Sequence, residues 1–318
     1  MLANSTTLIV GAGASVPLGY PTGAELRDWI IEGRGMHGEW GSKGPEDQKK
    51  LTWRMRRSLI PSIDAFLAEP ENADLHAWGV LCIAGALLPC ESLKKDEPPD
   101  WLRMVFNVIR GRRDKDHQHR LAIVTFNYDL SIEYFLFHAF VAAYRLNHDE
   151  ARRMYQESVQ VIHVYGQLGQ IEELGGDRQY GGNIDHRVIF SASKGLTIIG
   201  RAPEASIFNE AHQAILEAEF LAILGFGYDA TNVANLKLTE RNSSKYSFST
   251  GYDMGYGMRA WIRGMGLASN IIGSPKDDVA RFLHNSGFLQ WANTPGKTSS
   301  DMHDSILKYL NLGLQIPD

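Results

Sequence analysis

Cysteine is nearly absent from this chain: two in 318 residues, Cys82 and Cys90, both in an apolar stretch. A disulfide framework is therefore not expected, and two buried thiols fit an intracellular, cytoplasmic setting. A zinc site of four cysteines is impossible within one chain. Long hydrophobic runs are also lacking. The longest, Ala77 to Cys90, has about 14 residues against the ~20 that a spanning helix needs, so it reads as a buried helix and no membrane partner is expected. The first residues carry neither the basic region nor the apolar stretch of a signal peptide. Positive charge is not in excess. With 32 basic and 37 acidic residues the formal charge is -5, which leaves no domain-wide field to hold a nucleic-acid backbone. The local basic spots at 54–57 and 110–113 read as solvated helix ends. Internal repeats and low-complexity tracts are missing too.

What is present is an ordinary globular composition, 44% apolar and 22% charged, able to bury a sizeable core without metals. Hydrophobic patterning predicts an α/β chain, with a Rossmann-like parallel sheet, flanking helices and a helical insertion after the first βα unit. Thr6 to Val10 and Leu121 to Thr125 are continuous apolar runs of the kind that central parallel strands require. Further strands are expected at 158–163, 187–190, 220–224 and 267–272. Thr22 and Glu25 have capping-box spacing at the start of a helix. Residues 33–50 read as a polar loop, followed by helices near 58–68, 74–88 and 99–111. Other helices are expected at 130–144, 205–217, from Ser274-Pro275 to His284, and near 301–311. One domain over 1–318 results, with a helical insertion over 33–118 and the remainder of the core over 119–290.

Four segments carry residue types suited to nucleotide chemistry. Gly11-Ala12-Gly13-Ala14-Ser15 follows the first strand. Glycines there let the backbone turn tightly and approach a pyrophosphate, and a following helix offers N–H groups. Thr125-Phe126-Asn127-Tyr128-Asp129 sits at the carboxyl end of a buried strand, where open sheets bind ligands. Asn127 can both donate to and accept from a ribose hydroxyl or a water. Asp129 is equally placed to cap the next helix. His163 ends another strand in His163-Val164-Tyr165-Gly166, and a histidine of ordinary pKa near 6.5 suits a proton acceptor. Gly225-Phe226-Gly227-Tyr228-Asp229 follows a third buried strand.

The ordered set resembles the sirtuin family over roughly 4–30 and 119–272. Gly-Ala-Gly-Ala-Ser at 11–15 is its glycine turn, with Gly19-Tyr20-Pro21 close behind. Thr-Phe-Asn-Tyr-Asp at 125–129 is similar to the family's Thr-Gln-Asn-x-Asp, and His163 with Gly166 to its His-Gly with two residues inserted. The resemblance implies NAD⁺ as substrate, cleaved at the glycosidic carbon. It implies catalytic roles for Asn127, which would orient water and the nicotinamide ribose, and for His163, which would be the base. Gly11, Ala12, Gly13, Ser15, Thr125 and Asp129 would line the pyrophosphate and ribose pocket. Gly225, Gly227 and Asp229 would face the adenosine half.

Two departures separate the chain from deacylase sirtuins. The four-cysteine zinc ribbon cannot be built, so no zinc is expected, and the usual Pro-Asp-Phe-Arg is replaced by Pro21-Thr22-Gly23-Ala24. The chain is more similar to the divergent bacterial group that hydrolyses NAD⁺ to ADP-ribose and nicotinamide in anti-phage defence. That likeness implies a homo-oligomer and a separate sensor or ATPase subunit as partners. A deacylase and a non-catalytic NAD⁺ or ADP-ribose sensor remain open as alternatives. Two further features are noted. His117-Gln118-His119 beside Asp114 and Asp116 reads as a solvated loop more readily than as a metal site. The aromatic residues Tyr246, Phe248, Tyr252, Tyr256 and Trp261 would either stack an adenine or pack a loop.

Overall fold

The computed structural model describes residues 4–35, 44–110, 121–198, 205–240, 246–267 and 271–294. The apolar runs form strands β1 (Thr6–Val10), β2 (Leu121–Thr125), β3 (Val159–His163), β4 (Phe220–Leu224), β5 (Tyr246–Ser249) and β6 (Ile271–Ile272). They pair in parallel in the order β3-β2-β1-β4-β5-β6. Every residue of β1, β2 and β4 is buried, which is why these strands read as unbroken apolar runs instead of alternating ones. Leu8 pairs with Ile123 on one side and with Ala222 on the other, so β1 is the centre of the sheet. From β1 the chain passes outward to β2 and β3, then returns to place β4 on the opposite side. The strand order therefore reverses between β1 and β4, and a crevice opens there at the carboxyl ends, where such sheets bind ligands.

The helix expected from Thr22 spans Gly23–Ile31. The Thr22 side chain accepts from the Glu25 N–H, and the Glu25 carboxylate accepts from the Thr22 N–H at 2.8 Å. Such a box stabilises a helix by about 1 kcal/mol. Between β1 and β2 the described residues hold helices Gly44–Ser58, Ile63–Ala68, His76–Leu87, Cys90–Leu93 and Asp100–Arg110. Two of these correct the sequence reading. Residues 44–50 are helical and not loop, because Leu51 and Met55 bury one face while Glu46 and Asp47 sit at the positive end of the helix dipole. The helix placed at 58–68 begins at Ile63, since Leu59 has φ 57 and Pro61 precedes the Ser62 cap. Helical stretch Pro70–Leu93 has the length and apolarity of a membrane span, and 67% of its most apolar window is buried inside the protein, as in a core helix.

Further along, helices Ser131–Tyr144 and Ala205–Glu217 lie where expected. The stretch 187–190 is not a strand. It lies in helix His186–Ser193, capped by Asp185, whose side chain accepts from the N–H groups of Arg187 and Val188. Helix His148–Ser158 follows an Asn147–Glu150 capping box that the sequence reading passed over. Ile262, placed next to a strand, lies in helix Tyr256–Gly264, and the strand at 267–272 is described only as β6. The last described helices start at Val279, behind an Asp278 cap, and at Phe288. The helix expected near 301–311 and the His117–His119 segment lie outside the described residues.

Candidate functional site

The two glycine turns at the ends of β1 and β4 interlock. The Gly11 N–H donates to Leu224 O at 2.9 Å, and the Gly13 N–H donates to Gly225 O at 3.0 Å. A Cβ on Gly11 would stand 2.6 Å from Gly225 O, and one on Gly225 (φ +59) would stand 2.3 Å from Ala14 N. These glycines therefore let two loops cross at backbone contact, a steric demand that does not involve a ligand. Two 3-10 turns, Ala12–Ala14 and Val16–Leu18, separate β1 from helix Gly23–Ile31. The helix does not follow the glycines directly, and its capping box already engages two of its terminal N–H groups. The inserted helix Asp100–Arg110 braces this turn, with Trp101 Nε1 donating to Ala14 O at 2.9 Å.

Above the crossing lies a cavity of about 460 Å³. Of the residues singled out in the sequence, Gly11, Ala12, Ser15, Asn127, Asp129, Gly227 and Asp229 line it. Gly13, Thr125, Gly225 and His163 do not. Thr125 accepts from the Asn127 N–H through Oγ1 at 3.1 Å and so shapes the turn instead of facing the cavity. Asp229 accepts from the N–H groups of Thr231 and Asn232 at the start of helix Ala230–Asn235, and it is exposed at the rim. A Cβ on Gly227 would meet nothing within 4 Å, so this glycine opens onto free space.

Asn127 is the best-defined polar group of the wall. Its Nδ2 donates to Gly11 O at 3.2 Å and to Ser15 Oγ at 2.9 Å. A backbone carbonyl only accepts, so the carboxamide orientation is fixed by Gly11. Both amide hydrogens are spent on the protein, and Oδ1 is left as the acceptor for a water or a sugar hydroxyl. Ser15 Oγ in turn donates to Asp129 Oδ2 at 2.8 Å. Asp129 also receives the Ser131 hydroxyl and, at 3.1 Å, the Ser131 N–H. Burial pushes the Asp129 carboxyl above the usual range, against the lowering effect of its serine partners and with Glu133 adding to the rise. Leu130, not Asp129, occupies the cap position of helix Ser131–Tyr144; Asp129 stands one residue before it, accepts from the Ser131 N–H, and ends a relay that reaches Asn127 through Ser15.

His163 is placed differently from the expectation of a base facing substrate. Its Nδ1 donates to Asn127 O at 2.9 Å, and its Nε2 lies 2.6 Å from Glu133 Oε1. Since the Asn127 carbonyl must accept, Nδ1 carries a proton, and a second proton lies between Nε2 and the carboxylate. Both ring nitrogens are engaged by protein groups in this structure. Burial pulls the His163 pKa down, but the Glu133 charge, its hydrogen bond and the Asn127 carbonyl outweigh it, and the net shift is upward. His163 thus bridges the Asn127 carbonyl and the Glu133 carboxylate and does not line the cavity.

Several wall residues escaped the sequence reading. Helix Ile63–Ala68 contributes buried Asp64, and Glu69 follows at the rim. Tyr128 donates its hydroxyl to Asp64 Oδ1 at 2.7 Å. The rings of Phe126 and Phe226, 4.9 Å apart, form an apolar part of the wall. The charged residues among the described lining are Asp64, Glu69, Asp129 and Asp229, all acidic. A buried Glu133 in an otherwise apolar helix was a legible signal, because a lone carboxylate there demands a partner. Asp64 carried no such mark. The aromatic set that would either stack an adenine or pack a loop does not line the cavity: Tyr246 and Phe248 are buried on β5, while Tyr252, Tyr256 and Trp261 are exposed.

No family model and no curated protein matches the chain. Among solved structures it is similar to a SIR2 homologue in complex with NAD, at 11% identity and TM-score 0.46 over 91% of this chain and 90% of that one. It is similar to a mutant Sir2 homologue in complex with 2′-O-acetyl ADP-ribose, at 12% identity and TM-score 0.44 over 98% and 93% of the two chains. A third, a mutant Sir2 homologue in complex with ADP-ribose, has 11% identity and TM-score 0.43 over 99% and 96%. The chemistry of the cavity rests on its own side chains.

Proposed function

We propose that the chain is an NAD⁺ glycohydrolase, taking NAD⁺ as substrate and releasing nicotinamide and ADP-ribose. The observation that carries this reading is Asn127, locked by Gly11 and Ser15 with its carbonyl oxygen left as the acceptor, at the point where the strand order reverses. Leaving of nicotinamide builds positive charge on the ribose. A pinned carboxamide oxygen and a wall whose charged residues are acidic are preorganised for that charge. An acidic wall without a basic residue among its described members also favours the end of NAD⁺ that carries the pyridinium cation. The cavity volume of about 460 Å³ suits part or all of a dinucleotide.

The test is to incubate the purified chain with NAD⁺ over a range of protein concentrations and to separate the products. Equal amounts of nicotinamide and ADP-ribose support the reading. Turnover that requires an acylated peptide would make the protein a deacylase, and tight binding without turnover would make it a sensor. The sequence features that resemble sirtuins extend the proposal to a homo-oligomer. Large exposed side chains at Tyr252, Tyr256, Met258 and Trp261 support a contact surface there, and light scattering measures whether one forms. A cytoplasmic role in anti-phage defence beside a sensor or ATPase subunit rests on the resemblance alone.

A further inference from the structure

A second cavity, of about 550 Å³, is lined by helix Asp100–Arg110, helix Ser131–Tyr144 and the segment 95–98. It shares no lining residue with the cavity above the β1–β4 crossing. Aromatic rings make up much of its apolar lining, and they are held by the protein. Phe106 packs edge-on against Phe140 at 5.2 Å, and Tyr134 is stacked on Tyr180 at 4.1 Å. The charged lining residues are of a different kind from those of the first cavity: Lys95 and Arg103 are cationic, and Asp96 is the carboxylate among the described members. His138 also lines the cavity, with its Nε2 3.2 Å from Glu173 Oε1. Lys95 Nζ stands 5.7 Å from the centre of the Tyr134 ring and makes no hydrogen bond among the described residues. Arg103 donates from Nε to Pro98 O at 3.0 Å, with Asp100 Oδ1 3.8 Å from the same nitrogen. Its two Nη groups make no hydrogen bond among the described residues. An ammonium and a guanidinium with unspent donors thus share a cavity with braced aromatic rings.

We propose that this second cavity is a binding site for an anion with a flat apolar body, of the class of a nucleoside monophosphate. The phosphate pairs with Lys95 Nζ and the Arg103 Nη groups, and the ring system lies against Phe106 and Tyr134. Cavities that hold small ligands combine a mainly apolar lining with a few placed polar groups, and their volumes bracket this one. Free donors on Lys and Arg are the usual partners of phosphate, and the guanidinium can offer two of them at once. The first cavity, with only acidic charges in its described lining, has no such pair to offer an anion.

Pyridoxal 5′-phosphate is a probe of this class, since it joins a flat ring, a phosphate and an aldehyde. With its phosphate on Arg103, its aldehyde should condense with the Lys95 amine to an imine, losing water, and borohydride should then reduce the imine to a stable secondary amine. Peptide mass spectrometry of the unaltered protein should find Lys95 modified about tenfold faster than the exposed Lys49 and Lys276. AMP should slow that labelling by about tenfold at a concentration where inorganic phosphate or adenosine alone does not. Arg103→Ala, at an exposed position, should raise the AMP concentration needed by about tenfold, the worth of one hydrogen bond to a charged group. Lys95 modified no faster than the exposed lysines overturns the site, and so does AMP protection that is unchanged in Arg103→Ala. Inorganic phosphate that protects as well as AMP overturns the aromatic part of the assignment. The first measurement needs no variant, and labelling needs no turnover, so its outcome is independent of NAD⁺ cleavage.

Discussion

Nε2 of His163 and Oε1 of Glu133 lie 2.6 Å apart, with each side chain 5% exposed, and the other histidine nitrogen holds the backbone carbonyl of Asn127. An ion pair this deep costs solvation to form, but removing one partner leaves the other charge stranded. Glu133→Ala should therefore destabilise the fold by about 3–5 kcal/mol, measured by urea unfolding at neutral pH.

The same pair predicts a pH dependence of stability. The folded His163 pKa is raised, while the unfolded chain titrates near the ordinary value of about 6.5. The contribution is complete below about pH 6.5 and is lost as pH rises through the folded value. Urea midpoints should fall from neutral to alkaline pH in the unaltered protein, and this component should be absent from Glu133→Gln. A slope unchanged in that variant would mean that another group carries it. Turnover, for its part, should show no acidic limb near pH 6.5, because His163 is already protonated there.

The two kinds of glycine at the site should respond oppositely to alanine. At Gly225 a Cβ would stand 2.3 Å from Ala14 N, at φ +59, so Gly225→Ala should lose more than about 1 kcal/mol of stability. At Gly227 a Cβ meets nothing within 4 Å. Gly227→Ala should unfold like the unaltered protein, and any loss should appear in NAD⁺ binding. Thermal unfolding beside calorimetric titration separates the two.

Ser15 links Asn127 to Asp129 through one hydroxyl. Ser15→Ala leaves a buried donor and a buried acceptor without that partner, a loss of about 1–3 kcal/mol. Turnover should fall as well, because Asn127 then keeps only its bond to Gly11. Ser15→Thr, which retains the hydroxyl, should recover part of both.

Much of this architecture was legible in the residues. Strands β1, β2 and β4 announced themselves as continuous apolar runs because both of their faces are covered, and Thr22 with Glu25 marked a helix start by local chemistry alone. Asn127 and Asp129 drew attention by following the end of β2, and Ser15 by its place in the glycine turn after β1 and the resemblance it carries; all three line the cavity. Residues 187–190 misled because Val188, Ile189 and Phe190 have strand propensity, while the Asp185 cap commits the segment to a helix. Helix Gly44–Ser58 was obscured by its strongly polar surface, with only Leu51 and Met55 to show a buried face along its length. The fate of His163 was not readable from its strand-end position, since Glu133 reaches it from another element, 30 residues away in sequence. Asp64 was hidden for the same reason: its place at the cavity follows from how the inserted helices fold back over the sheet.

We propose above all that Asn127 acts on NAD⁺ bound in the cavity above the β1–β4 crossing. The most direct measurement compares nicotinamide release by the unaltered protein and by Asn127→Ala, at equal NAD⁺ occupancy established by calorimetric titration and with folding checked by circular dichroism. Steady release is expected from the former, and a loss of about 10²-fold or more in the latter. A folded Asn127→Ala protein that binds NAD⁺ and releases nicotinamide at the unaltered rate would contradict it.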